Sequence, residues 1–140
     1  MLTDTDRSHA LRTSGTPPTA RPPLGNALVT MRLWAMDVRV RDATVLRDRD
    51  HVRNTMHDAA ESGGLTVLGE EFCDFDNGGL TAVLVLAQSH LSIHTWPEFA
   101  LANVDLLSYG DVPGGDVLRR IGNKLGAERL NVTCVTRRVP

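Results

Sequence analysis

Asp74-Phe75-Asp76-Asn77-Gly78-Gly79-Leu80-Thr81-Ala82-Val83-Leu84-Val85-Leu86 joins a run of turn formers to an unbroken apolar segment. Aspartate and asparagine favour turns by hydrogen-bonding their own backbone, and the glycine pair supplies the freedom that a tight reversal needs. Upstream, Leu65-Thr66-Val67-Leu68 is a second short apolar run. The two runs read as neighbouring strands of a hairpin, which makes an antiparallel sheet the frame for the rest of the chain.

Working towards the N-terminus, Val45, Leu46, Val52, Met56, Ala59 and Ala60 keep a helical period, and Ser62-Gly63-Gly64 supplies its stop. Before that helix, strict alternation from Leu28 to Met36 separates Leu28, Thr30, Arg32 and Trp34 from Val29, Met31, Leu33 and Ala35, as in a strand with one core face. Residues 1–24 carry Pro17, Pro18, Pro22 and Pro23 amid Thr, Ser and Arg, and read as a disordered tail ahead of a domain at 25–140. Working towards the C-terminus, Ala100 to Leu107 predicts another strand. Asp116 is placed to cap a second helix with the stripe Val117, Leu118, Ile121 and Leu125, ending at Gly126, and Leu130 to Val139 predicts a last strand. This order predicts an α+β fold, a two-layer sandwich of an antiparallel sheet with two helices on one face.

At 140 residues the chain has the size of one domain, and its net charge of −2 gives no electrostatic reason to expect nucleic acid or an anionic membrane as partner. A small molecule is the expected partner. No apolar run approaches the ~18 residues of a membrane span, and the polar N-terminus lacks a signal-peptide core, so a cytoplasmic protein is expected. Cys73 and Cys134 are far apart and without metal-ligand spacing, and read as buried thiols.

The densest chemistry lies in Ser89-His90-Leu91-Ser92-Ile93-His94-Thr95-Trp96-Pro97-Glu98-Phe99. His90 and His94 have the spacing of a helical metal pair, but the proline after Trp96 disfavours helix there and no third ligand follows, so no metal is expected. Taken singly, Trp96 and Phe99 read as core residues, Glu98 as a solvated charge and Thr81 as an ordinary strand threonine. As an ordered string the segment resembles the self-cleavage site of S-adenosylmethionine decarboxylases of the small bacterial type, whose pattern is Glu-Ser-His-apolar-Ser/Thr-Ile-His-Thr-Trp-Pro-Glu.

That resemblance implies a pyruvoyl-dependent decarboxylase, a carboxy-lyase made as a proenzyme that serves polyamine biosynthesis. Decarboxylating an α-amino acid leaves a carbanion that no ordinary side chain can delocalise, so an electron sink is required. The family makes one by cleaving before a serine, which here puts the cut between Gln88 and Ser89 and turns Ser89 into the pyruvoyl group. By the same resemblance His94 takes a proton during ester breakdown, and Thr81 matches a serine that assists processing. Tyr109 stands where the family has the cysteine that reprotonates the product. Phe75 falls where an aromatic stacks on the substrate adenine, with Trp96 and Glu98 as further substrate contacts; packing weighs equally with stacking for Phe75. Family active sites lie near subunit contacts, so a homodimer of processed chain pairs is implied.

The string also departs from its family. Gln88 replaces glutamate, Tyr109 replaces cysteine, and Gly25-Asn26-Ala27 lacks a histidine. Asp74 and Asp76 flank Phe75, as solvated turn residues or as partners for a second positive charge on a small cationic substrate. Three readings therefore stand: decarboxylation of S-adenosylmethionine, decarboxylation of ornithine or arginine by the same cofactor, and an unprocessed regulatory or structural partner. Geometry adds a condition. Ser89 and His94, five apart, point to opposite faces of a straight strand, so a bend or bulge is expected between them.

Overall fold

The computed structural model of the chain describes residues 29–139. The predicted tail at 1–24 and the start of the domain at 25 lie outside these residues. Six strands, β1 (Val29–Val40), β2 (Val67–Asp74), β3 (Leu80–Leu86), β4 (Ser89–Trp96), β5 (Leu101–Tyr109) and β6 (Ala127–Val139), form one sheet in the order β2-β3-β4-β5-β1-β6. Every neighbouring pair is antiparallel. Two helices, α1 (Arg49–Ser62) and α2 (Gly114–Lys124), pack on one face, giving the expected two-layer α+β sandwich.

Alternation decides which face is covered. Met36, Val38, Leu84, Leu91, Ile93, Val104 and Leu106 point under the helices and are buried, meeting Val52, Met56, Val117, Leu118 and Ile121. Full burial of each such side chain is worth ~1.5–3 kcal/mol against leaving it in water, so this face fixes the register of every strand.

The predicted first helix is broken at Asp48. Its extended backbone separates a short 3-10 turn at Ala43–Arg47 from α1, and its carboxylate accepts from the His51 N–H at 3.0 Å as the N-cap. Asp42 caps the 3-10 turn through the Thr44 N–H and hydroxyl, and those bonds hold its carboxyl below the ordinary range. Asp116 is not the cap of α2. The helix begins two residues earlier, after Pro113, with Asp116 inside its first turn beside Arg119. Gly114 is required there: a Cβ would stand 2.2 Å from Cδ1 of Trp34, whose indole fills the space beneath the turn. Cys73 and Cys134 are exposed, not buried, because they lie on the two edge strands.

Candidate active site

The helix-free face of the sheet is organised in cross-strand rows. One runs Val85, His90, Leu107, Leu33 and Val135; another runs Thr81, His94, Asn103, Asp37 and Asn131. His90 in the first row and His94 in the second each belong to a cluster of chemistry, while Ser89 falls in the alternate row with Leu86 and Ser108.

The first cluster surrounds the turn between β3 and β4. Leu86 pairs with Ser89, so only Ala87 and Gln88 make the connection. The favoured two-residue hairpin turns need positive φ within the loop, which matches the strand twist. Here neither loop residue has it, and the left-handed rotation falls instead on Ser89, with φ of 141°. A serine rarely adopts that value, at a cost of ~1–3 kcal/mol. The Ser89 hydroxyl lies 3.2 Å from His90 Nδ1, while the Tyr109 hydroxyl donates to the Ala87 carbonyl at 3.1 Å. Gln88 Oε1 accepts from the Thr66 N–H at 3.2 Å, and the Ala87 N–H donates to the Thr66 carbonyl. Ala87 and Gln88, ahead of the bond to Ser89, are thus held by Tyr109 and Thr66.

The second cluster lies at the other end of β4. Thr81 Oγ1 and His94 Nδ1 are 2.6 Å apart across paired strands. His94 stands edge-on to Trp96 with ring centroids 4.3 Å apart, and Phe75 is 5.6 Å away on a tilt. Phe75, Asp76, Asn77, His94 and Trp96 line an open cavity of about 380 Å³. Glu98 is held at its rim by Asn77, whose Nδ2 donates to Glu98 Oε2 at 3.2 Å. Arg47 donates to the Asn77 carbonyl, which ties the β2–β3 turn to the segment before α1. The two turn aspartates differ: Asp74 is paired with Arg49 at 2.8 Å, whereas Asp76 lines the cavity and has no ion pair among the described residues.

The expected bend between Ser89 and His94 is absent. β4 keeps one register with both neighbours over its whole length, and the irregularity is the φ of Ser89 itself. Five residues of strand separate the two side chains by roughly 16 Å, at ~3.3 Å per residue. Ser89 and Tyr109 therefore belong to one cluster, and Thr81, His94, Phe75, Trp96 and Glu98 to the other. His90 and His94 are roughly 13 Å apart on an extended strand. Sequence reasoning missed His90 as the imidazole nearest Ser89, and missed Asn103 and Asp37 in the His94 row. The period-two pattern His90, Ser92, His94, Trp96 was the available signal.

A family model described as S-adenosylmethionine decarboxylase matches residues 32–138. The chain belongs to that family. Among curated members of the S-adenosylmethionine decarboxylase family, it is 36% identical over 97 residues to the S-adenosylmethionine decarboxylase proenzyme of Clostridium tetani, covering 69% of this chain and 77% of the relative. It is 33% identical over 115 residues to the proenzyme of Pseudomonas paraeruginosa, covering 81% of this chain and 68% of that one. The crystal structure of the adenosylmethionine decarboxylase from Aquifex aeolicus superposes with a TM-score of 0.66 at 32% identity, covering 76% of this chain and 88% of that one. No helix among the described residues is long and apolar enough to cross a membrane.

Proposed function

We propose that this chain is a self-processing, pyruvoyl-dependent decarboxylase that acts on S-adenosylmethionine in the cytoplasm and supplies polyamine synthesis. The observation that carries the reading is the placement of Ser89, a nucleophile in a left-handed backbone position with an imidazole against its hydroxyl, at the one peptide bond where the family cleaves. The names of its relatives supply the substrate.

The residues suit formation of a pyruvoyl group. With His90 protonated on Nε2, its Nδ1 accepts the Ser89 hydroxyl proton and raises the nucleophilicity of Oγ towards the Gln88 carbonyl. Attack converts the peptide bond into an ester. Removal of the Ser89 α-proton expels the Gln88 carboxylate, and hydrolysis of the resulting enamine releases ammonia and leaves the pyruvoyl terminus on residue 89. Once formed, that group supplies the electron-withdrawing carbonyl that decarboxylation needs.

His94 and Thr81 are the elimination pair in this reading, and since they lie far from Ser89 in the same chain, they are taken here from a second copy. A homodimer closing on the helix-free face brings the His94 row of one protomer over the Ser89 turn of its partner. Val85 and Val135, exposed in that face at 49% and 55%, give such a contact apolar area. Within the composite site Phe75 and Trp96 wall the substrate, Glu98 holds the rim, and Tyr109, fixed beside the turn, is the proton donor.

Denaturing mass analysis of the purified protein tests the proposal: two fragments dividing at Gln88 and Ser89, the second with a pyruvoyl terminus, are expected, and a single intact chain refutes it. Carbon dioxide release from S-adenosylmethionine, ornithine and arginine supplied separately tests the substrate. Turnover of a diamino acid alone overturns that part.

A further inference from the structure

We propose that Asp37 and Asn103 are positioning residues for His94 and act on it through Trp96. The inference rests on the reading of His94 as a processing group. Asp37 on β1 and Asn103 on β5 face each other in the row that ends at His94 and Thr81. Asn103 Nδ2 donates to Asp37 Oδ1 at 2.7 Å, and Asn103 Oδ1 accepts from Trp96 Nε1 at 2.7 Å.

Chemistry allows this chain of bonds only one direction. An ionised carboxylate accepts and cannot donate, so Asp37 turns the amide nitrogen of Asn103 towards itself and the amide oxygen away. An indole N–H donates and cannot accept, so that oxygen is the group Trp96 needs. Each bond sets the orientation of the next. Trp96 is 38% exposed and lacks the dense packing that would otherwise choose its rotamer. Pinned by Asn103, its ring stands edge-on to His94 at 4.3 Å, with Phe75 on another side at 5.6 Å. The imidazole is left with Nδ1 on the Thr81 hydroxyl at 2.6 Å. An unbroken series of contacts thus crosses four adjacent strands, from a carboxylate on β1 to a hydroxyl on β3.

The test uses the full chain, freshly synthesised, and follows self-cleavage with time on denaturing gels across the pH range in which imidazole titrates. Asn103→Leu is expected to slow cleavage by roughly ten-fold and to displace its pH midpoint, because a loosened imidazole changes its hydrogen bonding to Thr81. A structural role alone lowers the melting temperature and leaves that midpoint in place. Trp96→Phe, which keeps a ring and removes the N–H, is expected to reproduce the loss, and the double variant to lose no more than either single one. Wild-type rate and midpoint in Asn103→Leu, or losses that multiply in the double variant, overturn the proposal. Should Asn103→Leu fail to fold, Asp37→Asn removes the charge at nearly constant shape; slower cleavage with a moved midpoint is expected, and an unchanged profile overturns the inference. His94→Ala separates the two levels: normal cleavage in it defeats the processing role of His94, whereas inert His94→Ala beside a normal Asn103→Leu defeats only the positioning.

Discussion

Replacing Ser89 by glycine should make the uncleaved chain more stable than replacing it by alanine, although both remove the nucleophile. The φ of 141° at this position costs a residue with a Cβ ~1–3 kcal/mol and costs glycine almost nothing. Glycine gives back ~0.5–1 kcal/mol through the greater freedom of its unfolded chain. Both variants lose the same contact between the hydroxyl and His90, worth ~0.5–1.5 kcal/mol, so it cancels in the comparison. The remainder favours Ser89→Gly over Ser89→Ala by ~0.5–2 kcal/mol, or a few degrees in melting temperature. Urea unfolding of the two variants at equal protein concentration, with mass analysis to show both chains intact, measures the difference. Equal stabilities, or an alanine variant that is the more stable, refute the view that the turn loads strain onto the residue that must react.

Thr81→Val, which removes the hydroxyl facing His94, should slow self-cleavage by ~10²-fold while Thr81→Ser restores it, read as fragment accumulation with time. Asp76→Asn should raise the KM for a cationic substrate by several-fold with little change in kcat, since an unpaired carboxylate lines the cavity; an identical KM would remove it from recognition. Gly114→Val should destabilise the fold by ~1–3 kcal/mol in denaturant unfolding, by driving its side chain into the Trp34 ring. Burial pushes the Glu70 carboxyl up, but the hydrogen bonds from Arg53 and His57 outweigh it and hold the carboxyl below its ordinary value of 4.5. A lowered folded pKa stabilises above the unfolded value and is lost as pH falls through the folded one. Glu70→Gln should therefore unfold more readily than wild type at neutral pH, with the gap closing below about pH 4.5, as thermal melts across that range would show.

The stripe Val117, Leu118, Ile121, Leu125 made the helix layer legible, because those side chains are buried, whereas the alternation in β1 gave the strand but not its covered face: Met36, Val38 and Val40 are buried, and Val29, Met31, Leu33 and Ala35 lie on the opposite, helix-free side. Asp48 was harder to read. An aspartate inside an apolar period can be a helix residue or the cap of a new helix, and only the extended backbone distinguishes them. The string from Ser89 to Glu98 carried the chemistry, yet a linear string does not say which groups share a chain. Regular pairing of β4 with β3 and β5 forbids the bend that would bring Ser89 and His94 together, and strand pairing is a property of three segments at once. Asn103 and Asp37 were invisible for the same reason: they join the His94 row only through the register of β5 and β1.

The strand order carries one more consequence. A cut between Gln88 and Ser89 divides the sheet into β1, β2 and β3 from the first piece and β4, β5 and β6 from the second. The pieces do not lie side by side, for β1 is threaded between β5 and β6 while β3 borders β4. Parting them requires unzipping three ladders and opening the helix layer, which amounts to unfolding the molecule. A severed backbone of this kind behaves as a clasp: the two products stay together without any covalent tie, and their separation becomes a dilution-dependent equilibrium in place of a simple melt.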